Sequence, residues 1–247
     1  MRRIILLIIM AICSCPVCAQ DTAAIAKVMQ LVRQVQDRII TVPTSYYILY
    51  TYSNEHTPAT LLDSMRGTVE IDGTNYHSIL DSTETIHNSK YNIVLFKEDK
   101  VMYLASSTPG EVGTNPMQQM LSFLDSAHNS TCSFSRNKSQ VKVLISFPSG
   151  GTCKQFNITL DTAAKRLISM EYIIRTSLLM DEQSQEDVPD KYEEYAFVKA
   201  TFTGYRELKK NLRLFDERNY FFKAGAEFKV ASAYEDYTIF VGSPGLQ

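Results

Sequence analysis

The residues able to do chemistry in this 247-residue chain are few and scattered. It holds four histidines: His56, His77, His87 and His128. His77 and His87 fall on adjacent expected strands, with Asp81 and Glu84 between them. Imidazole and carboxylate are ligand types for zinc, so this group could gather a metal. Plain surface histidines on strands are the alternative, and no metal is assigned. There is no P-loop, no dinucleotide glycine pattern, no G-x-S-x-G elbow and no H-E-x-x-H. Hence no catalytic residue and no cofactor is assigned, and the expected class is non-enzymatic.

Thiol chemistry depends on the compartment. The opening stretch MRRIILLIIMAICSCPVCAQ has two arginines, an apolar run from Ile4 to Ile12, and Val17-Cys18-Ala19 as a small-x-small site. It reads as a secretory signal over 1–19, cut between Ala19 and Gln20, with export to a periplasm. A bilayer-spanning helix takes about 20 apolar residues, more than this run supplies. Ile12-Cys13-Ser14-Cys15 loosely resembles a lipobox, and lipidation at Cys15 is the alternative. Beyond residue 19 the remaining cysteines are Cys132 and Cys153. In an oxidising compartment they make one obvious disulfide, which would stabilise by ~3 kcal/mol. Two buried thiols are the other reading.

Removing Arg2 and Arg3 leaves 23 basic against 27 acidic residues. Nucleic-acid binding calls for a basic stripe, so no such partner is expected. No second apolar run approaches membrane length, and no transmembrane segment is expected in the mature chain.

The elements that would position these groups are mostly strands. From Arg66 to Ala105, Val69 and Ile71 alternate with polar neighbours, Asp72-Gly73 marks a tight turn, and Tyr76 to Leu80 returns. Tyr91 to Phe96 and Val101 to Ala105 follow across a charged tip. Loops this short force antiparallel neighbours, so this is an up-and-down meander of four or five strands. Val141 to Phe147, Phe156 to Leu160 and Leu167 to Leu179 form a second one. Upstream, Ile25, Val28, Val32, Val35 and Ile39 recur at helical spacing after a possible cap at Asp21-Thr22, and Pro43 stops the helix.

Between Pro43 and the meander, Tyr46, Ile48, Tyr50 and Tyr52 share one strand face. That face could line a groove or simply pack. Pro116 starts a short helix with Met117, Met120, Leu121 and Leu124 on one side, either a lid or a docked helix. Residues 181–194 carry seven acidic residues and one lysine, a solvated loop without the fixed spacing of a calcium loop. The aromatic extension over 195–247 is too apolar to dangle. Residues 20–247 are expected to form a single domain.

This order of a signal, an N-terminal amphipathic helix, a meander with Gly67, Gly73 and Tyr76, an inserted helix and a second meander resembles the periplasmic lipoprotein carrier (LolA/LolB-like) fold. The resemblance covers roughly residues 21–179. It implies an α+β, mainly antiparallel β fold: a curved, unclosed half-barrel with both helices on its concave side. It further implies an apolar cavity for a lipid or a lipoprotein acyl chain. The ligand would then meet Val28 and Val32 on the helix, Tyr46 and Tyr50 on the strand, and Met117, Met120 and Leu121 on the lid. The alternative is a periplasmic subunit of an envelope or secretion assembly, with a protein partner and no small ligand.

Overall fold

The computed structural model describes residues 17–107, 130–180, 191–209, 213–225, 227–243 and 246. The expected helix at Pro116, with Met117, Met120 and Leu121, lies outside these residues, as does most of the acidic loop.

Helix α1 spans Val17–Thr41, beginning before the expected cap at Asp21. Pro43, which has no amide hydrogen, keeps it from continuing. β1 (Thr44–Asn54) follows at once. Five strands then alternate direction: β2 (Leu61–Asp72), β3 (Asn75–Leu80), β4 (Thr83–His87), β5 (Tyr91–Phe96) and β6 (Val101–Ser106). The turn between β2 and β3 needs Gly73, whose φ of +64° suits a residue without a Cβ. Gly67 in β2 is needed for a different reason. A Cβ there would sit 2.5 Å from the Ile79 carbonyl oxygen on β3.

The second meander holds β7 (Thr131–Asn137), β8 (Gln140–Ser146), β9 (Cys153–Asp161), β10 (Arg166–Arg175) and β11 (Tyr195–Glu207). β10 stops at Arg175, where a 3-10 turn over Thr176–Leu179 replaces the last residues of the long strand expected from sequence. Next come a two-stranded hairpin, β12 (Phe221–Ala224) with β13 (Glu227–Val230), and β14 (Thr238–Val241).

Twelve strands form one sheet in the order β14-β6-β5-β4-β3-β2-β1-β11-β10-β9-β8-β7. Every pairing in it is antiparallel except β14 on β6. The fold is mainly antiparallel β with one α-helix among the described residues, a curved sheet left unclosed between its β14 and β7 edges. β11 comes from the segment read as a C-terminal extension. It nevertheless takes the central place, pairing with β1 on one side and β10 on the other.

Successive strand residues point to opposite faces, and this sheet buries both. On one face Val32, Val35 and Ile39 of α1 pack on Tyr46, Ile48, Val69, Ile71, Tyr76, Val143, Phe156, Ile158 and Phe202. On the other, Ile86, Ile93, Leu95, Met102 and Leu104 are covered by Tyr220 and Phe221, with Phe228, Tyr234 and Ile239 beside them. Tyr76 belongs to the first core. Its neighbour His77 points the other way, opposite Ile86 of the second.

The expected disulfide is not formed. Cys132 pairs with Ile145, which pairs with Phe156 two strands away, whereas Cys153 lies three residues further along β9. Strand spacings of ~4.8 Å and rises of ~3.3 Å per residue put the two Cα atoms ~14 Å apart. A disulfide needs less than ~7 Å. Burial pushes the Cys153 thiol up to about 11, and its Sγ donates to the Gln155 carbonyl oxygen at 3.3 Å.

Candidate functional site

Helix α1 covers only part of the first face. It crosses the end where β1 begins, and Arg38 near its end pairs with Glu207 near the end of β11 at 2.9 Å. Here the expected ligand contacts Val32 and Tyr46 are enclosed. Val32 is 0% exposed, and Tyr46 lies against Phe202 and Tyr205 with ring centroids 5.8 and 5.1 Å away. Both fill the core. The side chain of Val28, like Met117, Met120 and Leu121, lies outside the described residues.

Among the described residues, the opposite end of the same face has no such cover and holds a cavity. Tyr50 and Tyr52 are half-buried there and stack along β1 with centroids 6.5 Å apart. Tyr172 on β10 stacks on Phe156 at 4.8 Å. Burial raises the hydroxyl pKa of Tyr50 and Tyr172. A cavity of about 280 Å³ begins at Tyr52, walled by Leu62, Met65, Leu179, Met180 and Ala196. It lies near the lower end of small-molecule pockets, which run to ~300–1,000 Å³. Strand register builds the wall: Met65 stands opposite Tyr50 and Asp63 opposite Tyr52.

Alternation pointed to the tyrosine face and Tyr50. It gave no hint of Leu62, Met65, Leu179 or Tyr192, because three separate segments bring them together. Only the exposure of the dipeptides Leu61-Leu62 and Leu178-Leu179 could have marked them, and sequence does not display exposure.

Charge is distributed unevenly around this opening. Glu55 pairs with Lys154 at 2.6 Å, Glu193 with His56 at 2.7 Å, and Glu194 with Arg175 at 3.0 Å. Asp63 and Asp81, inside the cavity wall, have no cation within 4.0 Å among the described residues. Burial raises the Tyr52 hydroxyl, and the carboxylates of Asp63 and Asp81 raise it further. The phenol thus stands in the field of both.

The histidines weighed as metal ligands do not converge. His77 lies on the second face and His87, opposite Tyr76, on the first. His77 Nδ1 is 2.8 Å from Glu70 Oε2, and its Nε2 is 3.0 Å from Glu84 Oε1. Glu84 also meets the Lys97 ammonium at 2.9 Å. Only the imidazolium can donate from both nitrogens at once. Burial alone would lower the His77 pKa, but hydrogen bonds and charge from Glu84 and Glu70 outweigh it and raise the value above 6.5. His56 is taken by Glu193, and His128 lies outside the described residues. Among the described residues no three His, Cys, Asp or Glu side chains are placed to hold a metal ion. No helix among them is long and apolar enough to cross a membrane.

No family model and no curated protein matches the chain. Solved structures do. An uncharacterized conserved protein from Thermus thermophilus aligns at 7% identity and a TM-score of 0.46, over 76% of this chain and 92% of its own. Lipoprotein LppX from Mycobacterium tuberculosis aligns at 9% identity and 0.38, over 75% and 98%. A LolA superfamily protein from Nitrosomonas europaea aligns at 6% identity and 0.34, over 76% and 96%. These likenesses are weak at such identities and TM-scores.

Proposed function

We propose that this chain is an exported, non-enzymatic envelope protein that binds one lipid or acyl chain in the groove beginning at Tyr52. The observation that carries the reading is the half-covered first face. α1 seals one end into a core, and the other end opens into a cavity walled by Leu62, Met65, Leu179 and Met180. Unbranched methionines and aromatic rings accommodate flexible chains. The groups around them suit binding rather than turnover: tyrosines whose hydroxyls burial raises, and carboxylates. The leader-like stretch at the N-terminus supports an envelope location.

The test is uptake of a fluorescent fatty acid together with solvent extraction of the native protein. Leu62 and Leu179 are exposed enough to be changed without disturbing the core. Leu62→Gln and Leu179→Gln should each weaken uptake about fivefold, the share of a half-buried leucine. Absence of extractable lipid and of uptake by the wild type would reject the reading.

A second reading, an assembly subunit, has one observation in its favour. Leu61 and Leu178, next in sequence to the wall residues Leu62 and Leu179, are 59% and 58% exposed, a surface a protein partner could cover. It predicts a reproducible crosslinked partner and no lipid.

A further inference from the structure

We infer that the groove selects an amphiphile with a cationic head, a single alkyl or acyl chain ending in an ammonium. This rests on the lipid-binding reading above and names the ligand class for the same cavity.

The argument is one of charge complementarity. Three other carboxylates at this end of the sheet, Glu55, Glu193 and Glu194, are each matched to a basic side chain at 3.0 Å or less. The two in the cavity wall are not. Asp63 Oδ1 accepts from the amide of Ser64 at 2.7 Å, its one hydrogen bond among the described residues. Asp81 Oδ1 accepts from the amide of Arg66 at 3.3 Å, a long bond. The ammonium of Lys191 sits over the Tyr192 ring, 4.7 Å from its centroid, and pairs with neither.

Backbone geometry fixes where these carboxylates stand. Asp81 occupies the tight turn between β3 and β4 at a φ of +49°, which Asp tolerates better than most residues. Its own amide donates to the Arg66 carbonyl oxygen at 3.0 Å, holding the turn against β2. Asp63 is held opposite Tyr52 by strand pairing. Two like charges therefore flank one phenol in a cavity whose apolar walls are Leu62, Met65, Leu179, Met180 and Ala196, with Ser53, Asn54 and Thr176 among them. A carboxylate or phosphate head entering there meets repulsion, and a neutral hydroxyl head gains a hydrogen bond but no charge attraction. An ammonium meets two acceptors and the ring face of Tyr52, which also attracts cations.

The experiment compares three probes of equal chain length with the full protein at low ionic strength: tetradecylammonium, tetradecanol and tetradecanoate. The expected order is ammonium over alcohol over carboxylate, about tenfold between the first two. Because both carboxylates are exposed, this margin should shrink in 0.5 M salt. The double variant Asp63→Asn/Asp81→Asn should lose the margin and bind the ammonium no more tightly than the alcohol. Glu98→Gln/Asp99→Asn, on the distant turn between β5 and β6, removes the same net charge and should leave the preference intact. If all three probes bind alike, or if the distant pair abolishes the preference equally well, the inference is overturned and the lipid-binding reading survives. If none binds, both are overturned.

Discussion

A histidine held between two glutamates gives the molecule its clearest pH dependence. The side chain of His77 is 6% exposed, with Glu70 and Glu84 on its two nitrogens. Its folded pKa is raised, so its contribution is full below 6.5 and is lost as pH rises through the folded value. Glu84 has the opposite sign. Burial would raise it, but hydrogen bonds and charge from His77 and Lys97 outweigh burial and hold it below 4.5. Its contribution is full above 4.5 and is lost as pH falls through the lowered value. The two overlap between 4.5 and 6.5. Chemical denaturation across pH 4–9 should therefore show the largest difference between wild type and His77→Gln inside that window. The difference should shrink at both ends. The loss there should be about 3 kcal/mol, the scale for breaking a buried charged pair. A difference independent of pH would mean that His77 is neutral in the fold.

Among elements, register decides what sequence spacing cannot. The strands were readable because Val141, Val143 and Ile145, or Ile158 and Leu160, alternate on a half-buried sheet. A turn was readable where Gly73 takes a positive φ. The pairing of Cys132 with Cys153 was not. Sequence supplies their separation along the chain but not the intervening strand β8 that keeps them apart. Intact mass of the native protein should be identical with and without reductant. Cys153 should react with iodoacetamide at pH 8 about a hundredfold more slowly than an ordinary thiol, because a pKa of about 11 against 9.0 depletes the thiolate by that factor. Unfolding should remove the delay. β11 repeats the lesson. Its place beside β1 is a long-range choice made by matched apolar faces: Ile48 on Phe202 and Tyr50 on Ala200. For the groove, Tyr50 and Tyr52 were visible, whereas its walls required β1, β2 and the turn after β10 to meet.

At the scale of the whole molecule, one sheet separates two cores, and the second depends on the last part of the chain. Ile86, Ile93, Leu95, Met102 and Leu104 are each 0% exposed beneath Tyr220, Phe221 and their neighbours. Removing residues 208–247 would lay that face bare. Such a chain should bind far more of a hydrophobic dye than the full chain and should aggregate; a soluble truncation that binds no more dye than the full chain would show that the first core folds alone. The seat of β11 has a further consequence for how the protein is made. Tyr50 must wait for Ala200, about 150 residues later, before β1 gains its second neighbour. The edge of β6 stays bare until Thr238 to Val241 settle along it. A polypeptide emerging N-terminus first therefore spends most of its synthesis with two sticky seams unsewn. Its yield in the cell should depend less on its final stability than on whatever shields those seams until the last strand arrives.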